Sequence, residues 1–270
     1  MKIFDTHAHL DLDPLKTNIT TLIFNGKSEK FQENIAKIGD FSLDGAILPG
    51  ITLESSQKVI ELSQYSNFFH AAVGIHPNSA AQANQTDWKE IVKLVDFPKV
   101  VAVGETGLDR YWNDTPFELQ IDYFNRHLDL AEQQSIPVLI HCRDCDEEMK
   151  SVLEKREHPI RGVMHAFSST PQMAESYIDM GLFVSFAGSV TYTNKKFAPL
   201  WEAAKIVPDD RLLVETDSPF MIPHPYRGRI PYNEPIMAAF VVKRLAELRG
   251  QTDEYVAKIT TENAKRLFKL

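Results

Sequence analysis

Eight short apolar runs recur along the chain, each separated from the next by a longer polar or amphipathic stretch. They are Lys2-Ile3-Phe4, Gly45-Ala46-Ile47-Leu48, Phe69-His70-Ala71-Ala72-Val73, Val100-Val101-Ala102-Val103, Pro137-Val138-Leu139-Ile140, Gly162-Val163-Met164, Leu182-Phe183-Val184-Ser185-Phe186 and Leu212-Leu213-Val214. Near-continuous aliphatic character of this kind suits strands buried on both faces of a parallel sheet. The intervening stretches read as helices. Residues 54–66 put Val59, Ile60 and Leu62 on one side, and residues 117–134 repeat Phe117, Ile121, Phe124, Leu128 and Ala131 at helical spacing. Thr170-Pro171 reads as an N-cap with Pro at the first helical position, and Gly181 as the stop. Two more helices are predicted at about 235–249 and 253–269. Strands alternating with helices predict βαβ units, and eight strands are what a closed (β/α)8 TIM-type barrel, an α/β fold, requires. An open doubly wound sheet is the alternative. The stretch from Leu15 to Phe41 should hold the first barrel helix, with Asn25-Gly26-Lys27-Ser28 read as a loop insertion.

The chain has 270 residues, which fits one barrel domain over 1–270, since such barrels commonly take roughly 250. Apolar runs stay far short of the roughly 20 residues of a membrane span, and no apolar leader follows Met1. Two cysteines, Cys142 and Cys145, cannot make a disulfide framework and read as inert. A cytoplasmic protein, with no membrane contact and no obligate protein partner, is the expectation. The net charge of −8 argues against a protein that grips long duplex DNA, so an anionic substrate must be held locally.

Five runs lead into His or carboxylate residues. They continue as Asp5-Thr6-His7-Ala8-His9, Gly104-Glu105-Thr106-Gly107-Leu108-Asp109, His141-Cys142-Arg143-Asp144, His165-Ala166-Phe167-Ser168 and Glu215-Thr216-Asp217-Ser218-Pro219. Barrel enzymes assemble their sites at that end of the strands. In extended chain, residues i and i+2 share a face, so His7 and His9 can reach one cation together. The set predicts two divalent metals, Mg²⁺, Zn²⁺ or Mn²⁺ by ligand type. One would take His7, His9, Glu105 and Asp217. The other would take Glu105, His141 and His165, with Glu105 as the bridge. Two such ions can activate water and clamp the oxygens of a displacement. Asp217 can also act as general base, so Asp217 and Glu105 are the catalytic candidates.

The chain resembles the TatD-type deoxyribonucleases of the metal-dependent amidohydrolase superfamily. Further motifs that carry the likeness are Gly74-Ile75-His76-Pro77, Arg227-Gly228-Arg229, Asn233-Glu234-Pro235 and Asn263-Ala264-Lys265-Arg266-Leu267-Phe268. The resemblance implies a (β/α) barrel, divalent cations and hydrolysis of DNA phosphodiesters, often from strand ends. Its metal positions fall on the same six residues. Three departures stand out: Ala166-Phe167-Ser168-Ser169 where the family has Cys-Phe-Ser-Gly, Arg110 where it tends to carry an aromatic, and a longer spacer, Ile230-Pro231-Tyr232.

His76, Arg143, Arg227 and Arg229 are the substrate-binding candidates, each as a phosphate contact. For His76 a supporting hydrogen bond is the alternative, for Arg143 a salt bridge to Asp144 or Asp109, and for the other two arginines plain solvation. Asp109 and Glu215 are expected to orient metal ligands, with direct ligation the alternative for Glu215. Tyr111 and Trp112, on the fourth rim loop, could stack on a base. Histidines 70, 127, 158 and 224 read as structural or solvated. The resulting expectation is a metal-dependent hydrolase, a deoxyribonuclease acting on single strands or ends of DNA or on a small phosphodiester. An amide, ester or aminoacyl hydrolase on the same barrel is the alternative, and a non-catalytic metal-dependent nucleic-acid-binding protein the third reading.

Overall fold

The computed structural model describes residues 1–13, 40–157 and 159–270. The predicted first barrel helix and the Asn25–Ser28 insertion lie outside the described residues, as does His158. Eight strands form one parallel sheet in sequence order: β1 (Lys2–Asp5), β2 (Ser42–Pro49), β3 (Phe69–Val73), β4 (Val100–Asp109), β5 (Val138–Arg143), β6 (Gly162–Met164), β7 (Phe183–Phe186) and β8 (Leu212–Val214). Each of the eight apolar runs supplies one strand. The last strand returns to the first: the Thr6 amide donates to the Val214 carbonyl at 3.2 Å, Asp217 N to His7 O at 2.9 Å, and His9 N to Ser218 O at 2.8 Å. The chain is therefore a (β/α)8 barrel, and its closing seam runs through His7, His9 and Asp217.

The described helices are α1 (Leu53–Gln64), α2 (Gln85–Leu94), α3 (Phe117–Gln134), α4 (Asp146–Leu153), α5 (Pro171–Asp179), α6 (Ala198–Ile206), α7 (Ala238–Arg249) and α8 (Asp253–Phe268). The start and stop read for α5 hold. Thr170 accepts from the Met173 amide at the head of α5, with Pro171 in its first turn, and Gly181 follows its end at φ +99°. Helix α3 ends on Ser135 in the left-handed region, without a glycine.

Burial on both strand faces follows from two apolar layers. Phe4, Ile47, Ala72, Ala102, Leu139, Val163, Phe183 and Leu213, one from each strand, cluster with Ala264, Leu267 and Phe268 of α8. Alternate residues such as Ile3, Leu48, Val73, Ile140, Val184 and Val214 pack outward with the helices. At the opposite end from α8's contacts the strands end in polar side chains.

One glycine sets the approach of β4 to β5. Gly107 pairs with His141 and has φ +145°, and a Cβ there would sit 1.9 Å from the His141 carbonyl oxygen. Only a residue without a side chain fits, so Gly107 fixes where His141 emerges.

Candidate metal centre at the barrel mouth

The six predicted ligand residues converge, and Glu105 stands between them. Its position differs slightly from expectation: Glu105 lies inside β4, beside an irregularity in the β4–β5 register, rather than past the strand's end. Oε2 of Glu105 lies 3.2 Å from His7 Nε2 and 3.6 Å from His9 Nε2. Asp217 Oδ1 approaches the same two nitrogens at 3.8 and 3.5 Å, and the nitrogens are 3.2 Å apart. Oε1 of Glu105 faces the other group, at 3.1 Å from His141 Nδ1 and 2.9 Å from His165 Nε2. Those two nitrogens are 3.2 Å apart. The His7 and His165 rings stack at 4.0 Å and bring the two halves side by side.

Supporting carboxylates fix which imidazole nitrogen faces inward. Asp109 Oδ2 accepts from His141 Nε2 at 2.9 Å, which leaves the Nδ1 lone pair toward Glu105. Glu215 Oε1 lies 3.3 Å from His165 Nδ1 and accepts from the Ala166 amide at 2.6 Å, while Thr6 donates to its other oxygen at 3.3 Å. Asp109 and Glu215 thus take the orienting positions expected of them. Asp5, which the sequence reading did not single out, is fully buried and accepts from the amides of His7 and Thr216 and from the Thr216 hydroxyl. Burial pushes its carboxyl up to about 8, against the pull of those hydrogen bonds. Asp217 itself sits at φ +53° and Ala166 at +44°, sparsely populated values concentrated at the mouth.

The donor set around His7 and His9 fits a divalent cation. Ligands at about 2.0–2.2 Å in a tetrahedron stand roughly 3.3–3.6 Å apart, and the spacings among His7, His9, Glu105 and Asp217 scatter from 3.2 to 3.8 Å. The inner nitrogens of His7 and His9 converge on the same carboxylate oxygens, and their outer Nδ1 atoms have no hydrogen-bond partner among the described residues. The electrostatics favour positive charge. Burial alone would raise the Glu105 carboxyl, yet His165, His76, His7 and the His141 hydrogen bond hold it well below the usual range. Burial would lower His165, but Glu105 and Glu215 carry it well above an ordinary imidazole.

The other candidates are placed unevenly. His76 lies beyond β3, at the head of a short turn at Pro77–Ser79, rather than at the strand's end. Its Nδ1 accepts from the Asn78 amide at 3.1 Å, and its Nε2 points at Glu105 Oε1 from 3.4 Å. Accepting at Nδ1 puts the proton on Nε2, so the ring donates to Glu105. Arg143 makes neither of the salt bridges weighed for it; its guanidinium lies over the Tyr111 ring at 3.7 Å. Arg227 lies 4.3 Å over the ring of Tyr192, and Arg229 stands exposed two residues on. Arg110, where an aromatic was expected, pairs with Glu148 at 2.6 Å and stacks on Phe117. His127 is structural: fully buried on α3, it bonds the Tyr123 carbonyl through Nδ1 and accepts from the Ile75 amide at Nε2. Tyr192 and Phe220, which meets His9 edge-on at 6.2 Å, went unread because lone rim aromatics carry no spacing signal.

Comparison with known proteins gives a consistent picture. The family model described as TatD related DNase matches residues 4–269. The uncharacterized metal-dependent hydrolase YabD of Bacillus subtilis is 36% identical over 269 residues, covering 99% of both chains. The 3'-5' ssDNA/RNA exonuclease TatD of Erwinia tasmaniensis is 32% identical over 257 residues, 94% of this chain and 98% of that one. Among solved structures, the TatD homolog YjjV of Escherichia coli superposes with a TM-score of 0.86 at 28% identity, over 99% of this chain and 98% of that one. An organophosphorus hydrolase from Deinococcus radiodurans, at 14% identity and a TM-score of 0.61, shares the fold. No helix among the described residues is long and apolar enough to cross a membrane.

Proposed function

The chain belongs to the TatD-related, metal-dependent hydrolases, and from that premise we propose that it removes nucleotides from an end of single-stranded DNA. The observation that carries this reading is the division of Glu105, whose two oxygens each face a different pair of histidine nitrogens. In it, His7, His9, Glu105 and Asp217 would hold one divalent cation, and Glu105, His141 and His165 would hold a second. Divalent ions there lower the pKa of water and offset charge on the phosphodiester oxygens.

The chain's own groups do the rest. Asp217 accepts a proton from the attacking water. Burial would raise its carboxyl, but the His9 hydrogen bond and the charges of His7, His9 and His165 keep it below the ordinary value, so it is an ionised base at neutral pH. The His76 Nε2–H holds Glu105 from the side away from His7. Asp109 and Glu215 keep His141 and His165 in the tautomers that point lone pairs inward. Arg143, Arg227 and Arg229 are the phosphate contacts. The acidic overall balance agrees with a strand end as substrate rather than a long duplex.

Nucleotide release from end-labelled single-stranded DNA tests this, with Mg²⁺, Mn²⁺ or Zn²⁺ added, for wild type, Asp217→Ala and Glu105→Ala. Metal-dependent release lost in both variants is expected. Release that persists in excess EDTA, or folded and metal-loaded wild type that releases nothing, refutes it.

A further inference from the structure

The rim between β4 and β5 carries two aromatic side chains, Tyr111 and Trp112, that the metal centre does not use. Asp109 Oδ1 accepts from the amides of Tyr111 and Trp112 at 2.8 and 3.1 Å. The turn that presents these aromatics is thus latched to the carboxylate that holds His141. Their rings meet edge to face at 4.9 Å, and both remain half exposed, 52% and 50%. Arg143 pairs with Asp109 across the β4–β5 ladder and lies two residues beyond His141, on the same face of β5. Its guanidinium rests on Tyr111 at 3.7 Å and 6.0 Å from Trp112. Among the described residues it has no ion pair or hydrogen bond, so stacking positions the planar fork and leaves its N–H donors unspent. Trp112 also walls an open cavity of about 310 Å³ with Asp109, Asn113, Thr115 and Phe117.

We propose that Tyr111, Trp112 and Arg143 form the subsite for the nucleotide next to the scissile phosphate. Trp112 offers its face to the base, and Arg143, braced on Tyr111, takes the adjoining phosphate. The proposal rests on the nuclease reading of the metal centre. It gives a physical ground for the unpaired substrate, because a base can reach an aromatic face on the rim only when it has left a duplex stack. Stacking does not read base edges, so the subsite accepts any of the four bases. The aromatic–arginine pairing recurs across the mouth, where Arg227 lies over Tyr192, as a strand passing over the centre would require.

The test measures binding and turnover together. Anisotropy of a labelled single-stranded oligonucleotide with phosphorothioate linkages, which resist cleavage, is followed with metal-loaded wild type, Trp112→Ala, Trp112→Phe and Arg143→Ala. Each protein also meets an oligonucleotide with one abasic residue at the terminal or the penultimate position. Base–aromatic stacking of about 1–3 kcal/mol corresponds to roughly 5- to 150-fold in affinity. Trp112→Ala is expected to weaken binding by a factor in that range, and Trp112→Phe to restore most of it. One abasic position should cost wild type the same factor and Trp112→Ala nothing further. Arg143→Ala should reduce the salt slope by about one phosphate. Equal loss on normal and abasic strands, or no loss in Trp112→Ala, overturns the subsite. If binding behaves as expected while unmodified DNA is not cleaved, the subsite stands and the hydrolytic reading falls.

Discussion

Replacing Asp109 by Asn tests the idea that one carboxylate sets both a ligand's tautomer and the adjacent loop. Asp109 accepts four hydrogen bonds: His141 Nε2 at 2.9 Å and Asn78 Nδ2 at 3.2 Å on Oδ2, Tyr111 N at 2.8 Å and Trp112 N at 3.1 Å on Oδ1. All four partners are donors, so an asparagine must turn its NH₂ toward two of them. Facing the amides, it breaks the latch on Tyr111 and Trp112. Facing His141, it invites the ring to move its proton to Nδ1, and the lone pair that faces Glu105 and His165 is lost. Loss of such a partner typically costs 10- to 100-fold in metal affinity, about 1.4–2.7 kcal/mol.

Zinc titration of apo-protein by calorimetry measures this directly. Asp109→Asn should weaken one class of site by that factor and leave the His7–His9 class unchanged. Asp109→Glu, which keeps an all-acceptor group, should lose less. Wild-type affinity at both classes together with an undisturbed Tyr111–Trp112 turn in Asp109→Asn would refute the reasoning, because no orientation of the amide satisfies four donors.

Burial holds His127 down at about 4, from an ordinary 6.5. A depressed folded pKa contributes stability that is complete above pH 6.5 and lost as pH falls toward 4, about 3 kcal/mol in all. Unfolding by urea at pH 7.5 and 4.5 should show a steeper loss in wild type than in His127→Gln, and equal slopes would contradict it. Gly107→Ala forces a methyl against the His141 carbonyl, and should cost at least about 2 kcal/mol and lower zinc content, read by melting and metal analysis. Thr170→Ala removes the cap of α5, and should cost about 1 kcal/mol with activity unchanged.

The barrel was legible because its signals are local and repeated. Each strand is an apolar run that burial on two faces demands, and each predicted metal ligand follows or lies near the end of such a run. His-x-His states its geometry in three letters, since alternation along an extended chain puts His7 and His9 on one face. What escaped reading was contact between distant positions. Nothing in Asp5-Thr6-His7 announces that Asp5 holds the amide of Thr216, 211 residues away. A basic side chain likewise looks the same in sequence whatever it touches. Arg110 is consumed by Glu148 and Phe117, while Arg143, two residues beyond a ligand, keeps its donors because an aromatic face rather than a carboxylate supports it. That distinction bears on function more than the charge does. A guanidinium locked in an ion pair cannot also grip a phosphate, whereas one held by stacking is positioned and still available. The rim pairings on which the proposed subsite rests are therefore what composition cannot reveal, whereas the residues gathered at the barrel mouth are announced by the strand ends.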